Sequence, residues 1–232
     1  MKSILIPYMP KGAVWQELEY AARSIRKHCK EPYHIFVIGS TLPKPLRENE
    51  DITHIYHPGT YDKRGGYRAR DINHKLAVAI SDTRISDSFM LTYDDTLFNK
   101  PFRIDERDVP WRHQPPRKVS NKAYKRLLDD TINECYTFRS DPVSFETHQP
   151  RIFNKAKLAK TLFMIAGAPL LVSTMYGNIF YPDAPATDSK LRARITGDFE
   201  GSPKSAFINY ADSGLTPEFK SWIMKTFPNP LP

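Results

Sequence analysis

The sequence predicts one α/β domain whose mostly parallel central sheet is flanked by helices, and three observations predict it. Short β-rich apolar runs recur along the first hundred residues, amphipathic helical segments stand between several of them, and no linker divides the 232 residues. Parallel strands need crossover connections, which the helices supply.

Ser3 to Tyr8 is the first buried strand, stopped by Pro7 and followed by the loop Met9-Pro10-Lys11-Gly12. From Val14 to Cys29 the apolar positions Val14, Leu18, Ala21, Ala22 and Ile25 recur at helical spacing, with Glu17, Glu19, Arg23 and Lys27 between them. His34 to Gly39 reads as a second strand and Ile52 to Tyr56 as a weaker third. Ile72 to Ile80 reads as a helix and Phe89 to Tyr93 as a fourth strand. Ala123 to Phe138 and Lys155 to Ala166 read as helices. Beyond Pro185 the chain reads as irregular until a last helix, Pro217 to Thr226, with proline in its first turn.

Hydrophobic residues make up 40% and aromatics 12%, which excludes disordered and collagen-like classes. The formal charge of +8 favours anionic partners without choosing among nucleic acid, membrane and phosphorylated substrates. Two cysteines, Cys29 and Cys135, lack metal-type spacing and argue against a disulfide framework, so a reducing cytoplasm is the expected location. No run approaches the roughly 18 apolar residues of a membrane span.

Ligands of such sheets sit outside the carboxyl ends of the strands. Three ends qualify: Tyr8 to Gly12, Gly39-Ser40, and Asp94-Asp95. Two adjacent aspartates delivered by a buried strand form a costly cluster of like charge, which a hard divalent cation, Mn²⁺ or Mg²⁺, offsets. The alternative is a pair that only opens a turn or caps a helix.

Several segments together carry a family resemblance: Ile6-Pro7-Tyr8, Ser24 to Lys27, Val37-Ile38-Gly39, Phe89 to Pro101, Glu146 to Pro150, Tyr176-Gly177-Asn178 and Phe227-Pro228. Their order resembles bacterial and phage nucleotide-diphospho-sugar transferases related to the stealth-type capsule enzymes. That resemblance implies a GT-A fold over residues 1–232, with a nucleotide-sugar-binding half (1–100) and an acceptor-binding half (101–232). It also implies DxD-type acids holding a cation against the donor diphosphate. Here Tyr93 precedes the pair and Thr96 follows it, so the full DxD is not kept. Asp95, projecting further from the strand end, is the expected metal ligand, and Asp94 the contact to the donor ribose or sugar. His148 is expected to complete the metal site, since manganese accepts imidazole beside carboxylates.

For the donor, Tyr8 offers a flat surface beside Lys11 and Gly12, although it equally suits the core. Arg64, Arg68, Arg70, His74 and Lys75 crowd the second helix, and Arg70 and Lys75 are the expected phosphate contacts. Gly65-Gly66 there makes neither a P-loop nor a dinucleotide fingerprint. Glu146, Asp212 and Asp141 are candidate general bases.

The stretch Arg103 to Arg126 interleaves Arg103, Arg107, Arg112, Arg117, Lys118, Lys122, Lys125 and Arg126 with Trp111, His113 and Tyr124. Such a pattern suits DNA carrying 5-hydroxymethylpyrimidines as acceptor, with aromatics stacking on bases. A surface glycan is the competing acceptor. A non-catalytic polyanion-binding protein on the same scaffold is the alternative outside enzymes. The oligomeric state is left open by the sequence.

Overall fold

A computed structural model describes residues 1–59, 67–115, 119–187, 190–199, 201 and 203–228. Strand β1 (Lys2–Pro7) leads into α1 (Glu17–His28), then β2 (Tyr33–Gly39), β3 (Ile52–Tyr56), α2 (Tyr67–Ser81) and β4 (Ser88–Leu91). The remainder comprises β5 (Thr96–Phe98), α3 (Lys122–Cys135), β6 (Arg151–Asn154), α4 (Lys155–Ile165), α5 (Val172–Phe180), β7 (Arg192–Ile195), β8 (Phe207–Tyr210) and α6 (Pro217–Thr226).

The central sheet has the order β3-β2-β1-β4-β6. Its first four strands are parallel, and β6 runs antiparallel to β4, with Leu91 opposite Arg151 and Ser88 opposite Asn154. Alternation along β1 explains how both faces are covered. Ile4 and Ile6 pack with Leu18, Ala22 and Ile25 of α1 on one face, whereas Leu5 joins Leu76 of α2, Leu158 of α4 and Met175 of α5 on the other.

The irregular reading after Pro185 is corrected by the structure. There β7 and β8 form a second sheet with β5, in the order β5-β8-β7. Each has only four residues, too few for alternation to stand out against loop sequence. The outer side of this sheet is closed by α6, where Phe219, Ile223 and Phe227 pack with Leu97 and Ile208. Helix α5 also escapes the sequence reading, because Val172 to Asn178 are all buried and a helix buried around its circumference shows no amphipathic stripe. The fourth strand ends two residues earlier than expected. Asp94 and Asp95 consequently lie in the turn joining the two sheets, closed by the Thr96 amide on the Tyr93 carbonyl at 3.2 Å.

Candidate active site at the junction of two sheets

Because β4 belongs to the central sheet and β5 to the second, the acid pair is bordered by residues distant in sequence. Thr96 Oγ1 donates to Asp95 Oδ1 at 3.4 Å. Asn209 Nδ2 of β8 donates to Thr96 Oγ1 at 2.6 Å and to the Asp95 carbonyl at 3.4 Å. Arg192 Nε of β7 donates in turn to Asn209 Oδ1 at 2.9 Å. The register sets Thr96, Asn209 and Arg194 in one row across the three strands.

Burial pushes the Asp94 carboxyl up to about 7, and the charges of Asp95 and Glu17 add to the shift. Burial likewise lifts Asp95 to about 6, against the Thr96 hydrogen bond and the positive charges of Arg194 and Arg192. Glu17 reaches this cluster from the start of α1, where its carboxylate accepts the Val14 and Trp15 amides at 2.8 and 2.9 Å. Tyr8 is pushed up to about 12, by burial first and then by Asp94, Glu17 and Glu19. Tyr210 is raised well above its usual value by burial and the same acids, and its buried hydroxyl finds no hydrogen-bond partner among the described residues.

Two carboxyl groups whose proton affinity burial has raised, with an orphaned hydroxyl beside them, fit a divalent cation that would take the protons' place. The donor atoms are hard oxygens, the set that magnesium and manganese accept while keeping water or phosphate as further ligands. Among the described residues, no three histidine, cysteine or carboxylate side chains converge as a metal-binding group. The structure brings His148 to the ring of Tyr93, with centroids 5.9 Å apart, without closing such a group.

Tyr93 links the acids to a second cluster built around Arg151. Buried at the start of β6, Arg151 donates to the Phe145 carbonyl at 2.7 Å, Thr147 Oγ1 at 2.7 Å and the Gln149 carbonyl at 3.3 Å. Its guanidinium stands 5.1 Å from the Trp111 ring centroid. These bonds bend the segment Phe145 to Gln149 around one cation and leave His148 in the left-handed region, at φ 51°. Gly177 of α5 lies so close beneath Phe145 that a side chain there would collide with the ring.

The remaining candidates separate. Glu146 Oε1 accepts the Thr174 amide at 3.1 Å and its hydroxyl at 2.9 Å, so this carboxylate caps the amino end of α5. Asp212 is exposed in a short turn two residues beyond Tyr210. Lys11 is exposed beyond β1, Arg70 is partly buried in α2, and Tyr8 lies within the core cluster on the α1 face of the sheet. Lys75 is drawn inward, 1% exposed, where its ammonium meets Asp71 Oδ2 at 2.5 Å and the Tyr8 carbonyl at 2.9 Å. That pairing ties α2 to the end of β1. Arg64 and Gly65-Gly66 lie outside the described residues.

The basic stretch does not form one aromatic-lined groove. Trp111 is 4% exposed, stacked on Tyr176 and Tyr181 with centroids 4.9 Å away, and unavailable to a base. Arg107 pairs with Asp105, Lys125 with Asp129 and Arg126 with Asp130. Arg117 and Lys118 lie outside the described residues. In their place, sequence reasoning missed Arg192, Arg194, Asn209 and Tyr210. Their only signal was the alternation in Arg192-Ala193-Arg194.

Solved structures share this fold. The apo structure of the bifunctional glycosyltransferase WbbM is similar at a TM-score of 0.62 and 13% identity, with 98% of this chain and 50% of that one covered. The galactosyltransferase LgtC, solved with donor and acceptor sugar analogues, is similar at 0.59 and 11% identity, with 99% of this chain and 97% of that one covered. The chain thus spans half the length of WbbM. No protein-family model and no curated relative matches the sequence. The architecture is therefore the GT-A glycosyltransferase fold, with a mostly parallel central sheet flanked by helices.

Proposed function

We propose that the chain is a cation-dependent glycosyltransferase that moves a sugar from a nucleotide-diphospho-sugar to a hydroxyl of a glycan. The observation that carries this reading is the aspartate pair at the carboxyl end of β4, its proton affinity raised by burial, in a GT-A fold. Asp95 would hold Mn²⁺ or Mg²⁺, which when bound supplies positive charge to the departing diphosphate, with Asp94 beside it as the contact to the donor ribose or sugar. Arg192 and Arg194 add fixed positive charge beside Asp95. Asn209 fixes the turn through Thr96 and the Asp95 carbonyl. Arg70 and Lys11 remain candidates for the donor, and His148 for completing the metal site. Between Glu146 and Asp212, Asp212 suits the role of base better, because Glu146 is engaged in capping α5.

The test is release or transfer of sugar from a panel of UDP-sugars in manganese, comparing the wild type with Asp95→Ala. The variant is expected to keep its fold and lose on the order of a thousandfold in rate, matching several kcal/mol of lost charge stabilisation. Full activity in that variant, or in excess chelator, refutes the reading.

A further inference from the structure

Helix α4 bears an apolar surface left uncovered by the other described residues. Phe163 is 85% exposed and Met164 36%, and Ala156, Lys157, Ala159 and Lys160 are exposed along the same helix. The helix closes with Ala166 at φ 47° and Gly167 at φ 78°, so the turn after it reverses without a charged side chain. From Asn154 to Pro182 the chain holds three lysines and no acid. Neither Lys157 nor Lys160 pairs with a carboxylate among the described residues, and Lys157 instead stands 5.2 Å from the Phe180 ring centroid.

The place of this surface follows from topology. Strand β6 runs antiparallel to β4 and ends opposite Ser88, at the amino edge of the sheet, where the Lys155 amide bonds the Asp87 carbonyl. Helix α4 therefore returns to the carboxyl edge. Asn73 Nδ2 of α2 then holds the Leu170 carbonyl at 3.0 Å, and the chain enters α5, whose amino end carries Glu146. The exposed tip lies on the edge that also bears the acid pair.

We propose that α4 and the turn after it seat the protein on an anionic lipid surface. Phe163 and Met164 enter the headgroup boundary while Lys157 and Lys160 face the lipid phosphates. An exposed aromatic and a flexible thioether beside lysines, with acids absent, suit an anionic headgroup surface. A symmetric pairing of two copies through this patch would bring Lys157 and Lys160 near their own counterparts. Docking turns the carboxyl edge toward the bilayer, so the acceptor hydroxyl belongs to a glycan presented at a membrane. That consequence rests on the transferase reading, whereas lipid binding itself does not.

The experiment is flotation of the full chain with vesicles of phosphatidylcholine alone or mixed with phosphatidylglycerol, at low and high salt. Wild type should float with the mixed vesicles and be released by salt. Phe163→Asp and the double variant Lys157→Glu, Lys160→Glu should each lower binding by roughly tenfold, at unchanged melting temperature. Met224→Asp, at an exposed apolar site on α6, should bind like wild type. Equal binding to both vesicles, or binding kept in Phe163→Asp, overturns the proposal. So does Phe163-dependent self-association, or Phe163-dependent binding of duplex DNA, without flotation. Because the readout is flotation, failure of sugar transfer leaves the result intact, and the reverse also holds.

Discussion

The imidazole of His148 lies 5.9 Å from the phenol ring of Tyr93, centroid to centroid, and reaches it from a left-handed backbone at φ 51°. Tyr93 is the residue before the acid pair, and His148 lies in the loop gathered by Arg151. Their contact joins the two halves of the candidate site through residues 55 positions apart. Burial pushes Tyr93 up to about 12, so its hydroxyl keeps its proton and acts there as a neutral group.

The backbone at His148 and its side chain can be tested separately. His148→Gly relieves the left-handed conformation and should leave the melting temperature unchanged or raised, while sugar transfer falls. His148→Val should lose transfer and also about 1–3 kcal/mol of stability, because a β-branched residue resists that conformation. Transfer unaffected in His148→Gly removes the side chain from the reaction.

Lys75 and Asp71 form a buried ion pair one helical turn apart. Lys75→Met should cost about 3–5 kcal/mol in denaturant unfolding, because it strands the Asp71 charge and the Tyr8 carbonyl. Adding Asp71→Leu should return most of that loss. A Lys75→Met variant of normal stability with a raised KM for the donor would return Lys75 to the phosphate-binding role.

Glu146 and Asp212 are told apart by pairing stability with rate. Glu146→Gln keeps an oxygen for Thr174 and should be close to wild type in both, whereas Glu146→Ala loses the cap and about 1 kcal/mol. Asp212→Asn should keep its stability and lose about a hundredfold or more in rate, the scale of a missing general base. An inactive, stable Glu146→Gln reverses the assignment.

Between about pH 7 and about pH 5, the range in which imidazole titrates, two histidines and two aspartates contribute to stability with opposite signs. Burial holds His28 below the ordinary imidazole value, with Lys27 and Lys30 adding, and holds His57 low too, with Lys75 and His74 adding to its burial. The histidines therefore bind more protons in the unfolded chain and lose stability on acidification, whereas Asp94 and Asp95, raised to about 7 and about 6, bind more protons in the folded chain and gain it. In chelator, His28→Gln should raise the melting temperature at about pH 5 relative to that at about pH 7, compared with wild type.

The four parallel strands of the central sheet and the location of its acids were legible in local sequence, whereas the antiparallel β6 was not. The apolar runs at Ser3, His34, Ile52 and Phe89 became β1 to β4, and the pattern from Val14 became α1, because burial of whole strands and of one helix face is written in local periodicity. Pro217 marked the start of α6 in the same way. The second sheet was decided by tertiary structure alone: β8 pairs with β5 across more than a hundred positions, and β7 joins by pairing with β8. Helix α5 was hidden because it is buried on every side. The same long-range pairing brings Asn209, Tyr210, Arg192 and Arg194 to Asp94 and Asp95, and burial turns Lys75 and Trp111 from surface candidates into interior supports. Charge and spacing revealed which groups were available for chemistry; the protein's folding around them decided which stayed accessible.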